Sequence, residues 1–172
     1  MPLILRPLLR PLQYDDIAEV VAAFAAIGWG GKDAAQFQRY LAEQEAGLRV
    51  TRFAFLDGVF TGYLNVLWQS GYPPFAAARI PEINDFNVLP DFRRQGIGTA
   101  LMDEAERIIA TRAPVAGLGI GMTQDYGDAL RLYLRRGYLP DGRGLITEGR
   151  PVVYGESVLV DDDLVLYLTR QF

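Results

Sequence analysis

Pro81-Glu-Ile-Asn-Asp-Phe-Asn-Val-Leu-Pro-Asp-Phe-Arg-Arg-Gln-Gly-Ile-Gly-Thr-Ala-Leu-Met102 decides the reading of this chain. An extended run from Ile80 to Val88 leads into a turn rich in Arg and Gly, and the turn opens a helix. In that helix Leu101, Ala105, Ile108 and Ile109 form a core-facing stripe at helical spacing, which Pro114 closes. Such a turn aims several backbone N–H groups outward at a helix N-terminus, a site for phosphate or pyrophosphate. Glycines at 96 and 98 let a ligand approach where a Cβ would collide. A Walker loop, Gly-x-x-x-x-Gly-Lys-Ser/Thr, is absent, and the dinucleotide fingerprint needs a third Gly or Ala where Leu101 stands. The spelling alone also suits an ordinary strand–helix connection with glycine at a tight turn.

Working outward, Leu3 to Leu9 reads as an opening strand and Asp15 to Ile27 as a helix with Asp15 and Asp16 at its positive end. Gly28-Trp29-Gly30-Gly31 breaks it, and Ala34 to Glu45 forms a second helix. Arg49 to Leu56 and Val59 to Trp68 are β-rich runs joined by Asp57-Gly58, a hairpin signal. Tyr72-Pro73-Pro74-Phe75 is read as loop, because proline cannot serve a central strand. Beyond Pro114 come a glycine-rich strand from Ala116 to Met122, a helix from Asp125 to Arg136 capped by Gly137, and strands near Tyr138 and from Leu164 to Thr169. Strands interleaved with helices, without repeats or a linker, predict one mixed α/β domain over residues 1–172.

Composition narrows the chemistry. Histidine and cysteine are both absent from the 172 residues. Disulfides, thiol nucleophiles, a Ser-His-Asp triad and His/Cys zinc sites are therefore excluded, and no metal is expected. A net charge of -4 argues against a nucleic-acid partner, which needs surplus Lys and Arg. Met1 to Leu12 is apolar but broken by Arg6, Pro7, Arg10 and Pro11, so neither a signal peptide nor a membrane anchor is expected. No membrane partner and a cytoplasmic location follow as expectations.

Arg93-x-x-Gly96-x-Gly98, directly after the apolar strand, resembles the pyrophosphate-binding motif A of the GNAT acetyltransferases. Ala129-Leu-Arg-Leu-Tyr133-Leu-Arg-Arg-Gly137-Tyr138 resembles that family's motif B, in the expected order and separation. Tyr126 stands where motif B usually has Asn, which puts one common cofactor contact in doubt, and Tyr138 replaces the usual Phe. Asp125 is expected to serve as the helix N-cap. The resemblance implies an α/β (α+β) GNAT fold, with a mixed central sheet of about six to seven strands flanked by about four helices. It further implies a splayed parallel strand pair that holds acetyl-CoA.

The implied activity is N-acetyl transfer from acetyl-CoA to a primary amine of a small molecule or peptide, with direct attack in a ternary complex. By resemblance, Phe86, Asn87, Val88, Arg93, Arg94, Gln95, Gly96, Ile97, Gly98, Thr99, Tyr126 and Tyr133 contact the cofactor, and the Val88 amide serves as oxyanion donor. Tyr133 is placed to protonate the leaving thiolate. Glu82 is the first candidate for the base, with Asp85 or a water chain as alternatives. Glycines 117, 119 and 121 would leave room for the cofactor, or else mark a tightly packed strand. Trp29, Tyr72, Phe75 and Asp85 are candidate acceptor contacts, the aromatics because they fall in Gly- or Pro-rich segments. Dimers are common in the family, so a homodimer is possible. A non-catalytic acyl-CoA sensor and a binder of another phosphate ligand are the competing functions.

Overall fold

Two-pronged pairing of Arg10 with Asp16, at 2.7 and 2.6 Å, ties β1 (Leu8–Pro11) to the approach of α1 (Ile17–Ala26). This is seen in the computed structural model, which describes residues 6–172. The expected opening strand at Leu3 to Leu9 lies partly outside the described residues, as does the reading of Met1 to Leu12, and β1 is centred later than expected. α2 (Ala34–Glu45) matches its expected span, with Asp33 accepting the Gln36 N–H at 2.8 Å as its N-cap. Asp57 and Gly58 take φ of 50° and 80°, which suits the two-residue turn joining β2 (Arg49–Leu56) to β3 (Val59–Leu67).

The remaining elements are α3 (Pro73–Ala78), β4 (Glu82–Val88), α4 (Ile97–Ala110), β5 (Val115–Gly121), α5 (Gly127–Arg135), β6 (Leu139–Thr147), β7 (Arg150–Pro151) and β8 (Val165–Gln171). The eight strands and five α-helices among the described residues exceed the expected numbers because β7 and α3 were not anticipated. α3 corrects the loop reading of Tyr72–Phe75. Pro73 and Pro74 occupy its first turn, where their missing N–H groups have no intrahelical role. Asp125 likewise falls in a 3-10 turn, Gln124–Tyr126, and Tyr126 takes the N-cap position of α5.

Residues cluster into two compact units, one up to Leu67 plus Asn84–Arg107, the other Trp68–Ile83 plus Ile108–Phe172. In the first, β1, β2 and β3 are antiparallel neighbours, and β4 follows β3 in strand order. Its core is aromatic: Phe24, Phe37, Phe53, Phe60 and Tyr63 are all at most 1% exposed. Phe53 lies opposite Tyr63 across the hairpin, ring centroids 5.6 Å apart. Each such ring contributes about 1.5–3 kcal/mol through burial. Gly62 on β3 has no alternative residue, since a Cβ there would stand 3.0 Å from Val88 Cα and closer still to the Asn87 carbonyl.

In the second unit β4 pairs with β5 in parallel at Glu82↔Gly117 and Ile83↔Leu118, so the expected parallel pair is present. β5 then pairs antiparallel with β8, and β8 with β6. Glycines 117, 119 and 121 share one face of β5. Aromatic and branched side chains fill that face: Phe75 at Gly117, Val165 and Tyr167 at Gly119, Tyr126 at Gly121. Of the two readings of these glycines, the packed strand is the one realised. A Cβ at Gly117 would meet Phe75 Cδ2 at 2.7 Å. Gly117→Ala is accordingly expected to lower stability by about 1–3 kcal/mol, read from the urea midpoint at constant m-value. An unchanged midpoint would mean the Phe75 ring shifts freely.

Candidate active site

Pro90–Phe92 forms a 3-10 turn, and Arg93 to Gly96 carry the chain into α4. Arg94 and Gly96 have φ of 62° and 84°, flanking Gln95, so the backbone alternates hand and turns its N–H groups to one side. Two side chains brace the turn. Arg93 Nε donates to the Val88 carbonyl at 3.1 Å, and Gln95 Nε2 donates to the Asp91 carbonyl at 2.9 Å. The Gly96 carbonyl accepts from the Ala100 N–H at 2.9 Å and so begins the helix. The N–H groups of the first helical turn then have no acceptor within α4. Arg93 to Gly96 are all exposed, as is Thr99, while the Ile97 side chain is buried and anchors the turn. An exposed, braced turn with two arginines at a helix N-terminus has the chemistry to hold a pyrophosphate. The α4 stripe is Ile97, Leu101, Met102, Ala105 and Ile109; Ile108, expected in it, is only half-buried.

On β4, Asp85 adopts φ 48°, a conformation costly for a side chain with a Cβ. Its carboxylate collects the Lys32 ammonium, the Tyr63 hydroxyl, the Tyr40 hydroxyl at 2.8 Å, Gln36 Nε2 at 3.1 Å and Asn87 Nδ2 at 2.8 Å. Burial alone would raise its pKa, but the Lys32 charge and the hydrogen bonds from Lys32, Tyr63 and Tyr40 outweigh burial and hold it below the usual value. Burial and then the Asp85 charge push the Tyr40 phenol up to about 12 and Tyr63 higher still. Asp85 is thus an ionised, fully engaged carboxylate, ill suited to the alternative role of proton acceptor or to holding an acceptor ammonium. Trp29 stacks on Phe24 at 5.8 Å, and the Arg93 guanidinium lies 5.9 Å over its ring.

In the second unit, Glu82 is 7% exposed at the start of β4 and accepts the Ser70 hydroxyl, whose oxygen in turn accepts the Tyr72 N–H at 2.9 Å. Tyr133 is buried on α5 with its ring 6.1 Å from that of Tyr138. Burial and then the nearby Tyr126 raise its pKa, so the phenol keeps its proton. Tyr126 donates to Asp162 at 3.1 Å while its ring covers Gly121. Tyr72 and Phe75 are core residues at 4% and 2% exposure. Tyr72 stacks on Tyr167 at 3.6 Å and donates to Asp141 at 2.9 Å. Of the candidate acceptor contacts, Trp29, Tyr72 and Phe75 are each engaged in ring packing within their own unit. Among the described residues no three metal-ligating side chains cluster, and no helix is long and apolar enough to cross a membrane.

The acetyltransferase (GNAT) family model matches residues 14–138. The chain belongs to the GNAT acetyltransferase family. Solved structures agree with this GNAT fold at low identity. A GNAT-family protein of Desulfovibrio desulfuricans superposes with a TM-score of 0.70 at 15% identity, covering 96% of this chain and 99% of that one. PaiA N-acetyltransferase of Thermoplasma acidophilum, solved with coenzyme A, gives 0.68 at 13% identity over 97% and 99%. Ribosomal-protein-alanine N-acetyltransferase of Brucella melitensis gives 0.69 at 18% identity over 96% and 99%. Comparison with curated proteins finds no match. The protein is accordingly an acyltransferase enzyme.

Sequence reasoning missed Lys32, Gln36, Tyr40, Tyr63 and Ser70 in this GNAT chain. Only the core spacing of Tyr40 and Tyr63 is visible in the sequence, since Lys32 and Asp85 are 53 residues apart. Because the folded pKa of Asp85 is depressed, its contribution to stability is complete above the unfolded value of about 3.9 and is lost as pH falls through the lower folded value. Asp85→Asn should cost about 2–4 kcal/mol at pH 7. The gap to the parent protein should narrow below about pH 4. Urea titrations across pH test this, and a gap independent of pH would mean that shape, not charge, holds the cluster.

Proposed function

We propose that this enzyme is a cytoplasmic N-acetyltransferase that moves the acetyl group of acetyl-CoA onto a primary amine of a small molecule or peptide. The observation that carries the reading is the braced Arg93–Thr99 turn at the head of α4, with positive φ at Arg94 and Gly96. The family model spans residues of both units, 14–138, which supports treating the chain as one functional domain. Acetyl-CoA supplies an activated thioester, whose acetyl carbon bonds to the amine nitrogen as its C–S bond breaks. This chain's residues manage the charges around that exchange. Arg93, Arg94 and the amides from Gln95 to Thr99 hold the pyrophosphate. Phe86, Asn87 and Val88 present backbone to the acyl arm, with the Val88 N–H aimed at the carbonyl oxygen.

Glu82 takes a proton from the acceptor ammonium. Ser70 fixes its orientation, because the Ser70 oxygen accepts from Tyr72 N–H and so directs its own proton at the carboxylate. Tyr133, still protonated, donates a hydrogen bond to the departing sulfur, and the thiol leaves with a proton. The ammonium gives one proton to Glu82, which releases it to solvent, and the second proton, lost as the amide forms, ends on the departing sulfur, so the products are the acetamide, coenzyme A and one proton.

Arg94→Gly separates cofactor binding from folding. Glycine suits the left-handed backbone at that position, so stability should stay within about 1 kcal/mol. Loss of a guanidinium contact should raise the acetyl-CoA Kd about tenfold. Calorimetric titration with acetyl-CoA reads this, and an unchanged Kd would remove the turn from the cofactor site. Glu82→Gln can still accept from Ser70 and so keeps the fold. Its turnover should fall by about 10²-fold below the amine's pKa and approach the parent rate at high pH, where free amine is abundant. A deficit equal at every pH would assign Glu82 to structure.

A further inference from the structure

A cavity of ≈ 370 Å³ opens in the second unit, lined by Trp68, Gln69, Ser70, Phe75, Ala76, Arg79 and Ile80. Its size falls within the range of small-molecule sites. Trp68, Phe75, Ala76 and Ile80 give it apolar walls. Ser70, on the same lining, is the residue that donates to the buried carboxylate of Glu82. Arg79 is the one charged residue of that lining, and its guanidinium has neither ion pair nor hydrogen bond among the described residues.

Arg79 also sits in an unusual place. It ends α3 at φ 55°, ψ 40°, the left-handed cap position that glycine fills at least cost. A residue with a Cβ is strained there, and no ion pair or hydrogen bond of the guanidinium among the described residues offsets this. The cavity therefore combines an exposed guanidinium with no ion pair among the described residues, an apolar body and, at Ser70, a hydroxyl bonded to the buried Glu82 carboxylate.

We propose that this cavity is the acceptor subsite and that it takes an amino acid with an apolar side chain: the carboxylate pairs with Arg79, the apolar body rests against Trp68 and Ile80, and the amine is directed toward Ser70 and Glu82. This rests on the acetyltransferase reading above. It differs from an acceptor site built on Asp85, whose charge is already met by Lys32.

Binding can be read without catalysis. The chain has two tryptophans, Trp29 and Trp68, so Trp29→Phe leaves Trp68 as the sole tryptophan, excited selectively at the red edge where tyrosine does not absorb. In that background, L-leucine should change Trp68 fluorescence saturably, and L-leucinamide should bind about tenfold more weakly or worse, since it lacks the charge that Arg79 pairs. Arg79→Gly, which suits the left-handed cap and so keeps the fold, should erase the preference; Arg79→Lys should restore part of it. Equal affinities for acid and amide, retention of the preference in Arg79→Gly, or no response to either compound at millimolar concentration overturns the proposal. Coenzyme A release is then measured with the same pair. Release with leucinamide and leucine alike sinks the subsite but keeps the transferase. Arg79-dependent binding of leucine with no release from any amine keeps the subsite and sinks the transferase reading.

Discussion

The carboxylate of Asp85 is the point from which the first unit is organised. Its partners come from the segment before α2, from α2 itself, from β3 and from β4. An isolated ionised carboxylate in a low-dielectric setting is costly, and loss of any donor leaves that cost uncompensated. The left-handed φ at Asp85 is held because these donors over-determine it. The consequence reaches the proposed cofactor site. A bend in β4 fixed at Asp85 sets the direction of Phe86, Asn87 and Val88, and Val88 in turn holds Arg93 by its carbonyl. The turn proposed to meet the pyrophosphate is thereby linked to a half-buried ion pair through one strand.

The second unit solves a different problem, that of packing large rings against a strand. Removing Cβ at 117, 119 and 121 lets Phe75, Tyr167 and Tyr126 approach β5 directly. Tyr72 and Tyr167 then stack nearly parallel, 1° apart, while the Tyr72 hydroxyl is satisfied by Asp141. Burial, followed by the charge of Glu82 and Asp141, pushes Tyr167 up to about 12, so the ring remains neutral beside two carboxylates. The same packing places α3, and with it Arg79 and the cavity wall, over the start of β4 where Glu82 lies.

Local signals in the sequence located most elements. Asp57-Gly58 predicted the hairpin because a two-residue turn demands positive φ, and the periodicity of α2 and α4 located both helices. The turn before α4 was legible for the same reason: its conformation lies in backbone and glycine, which are written locally. The Pro73-Pro74 start of α3 was misread because proline excludes a strand but is neutral between a loop and a helix N-terminus. The glycines of β5 could be spelled but not interpreted, since the rings that fill their space come from residues as distant as Tyr167. Lys32 with Asp85, and Ser70 with Glu82, were invisible because a long-range pair leaves no mark on either local pattern.

A chain with no histidine or cysteine must move protons between groups whose acidities are far apart. Passing a proton from an ammonium near 10 to a carboxylate near 4 is uphill by about 6 units in water, or about 8 kcal/mol. Two effects reduce that gap in a site of this kind. Desolvation against apolar walls lowers the pKa of an ammonium and so makes it a stronger acid, and burial opposes ionisation of a carboxyl. At the other end no matching burden exists. A thiolate with a conjugate acid near 8.5 is a competent leaving group, while Tyr133, its pKa raised by burial, cannot surrender a proton to it cheaply. In the proposed reaction a hydrogen bond from that phenol would stabilise the developing charge without full transfer. In the proposed reaction the demanding proton step would therefore be the one at the acceptor, where the polarity of the surroundings sets how far the ammonium and carboxyl acidities converge.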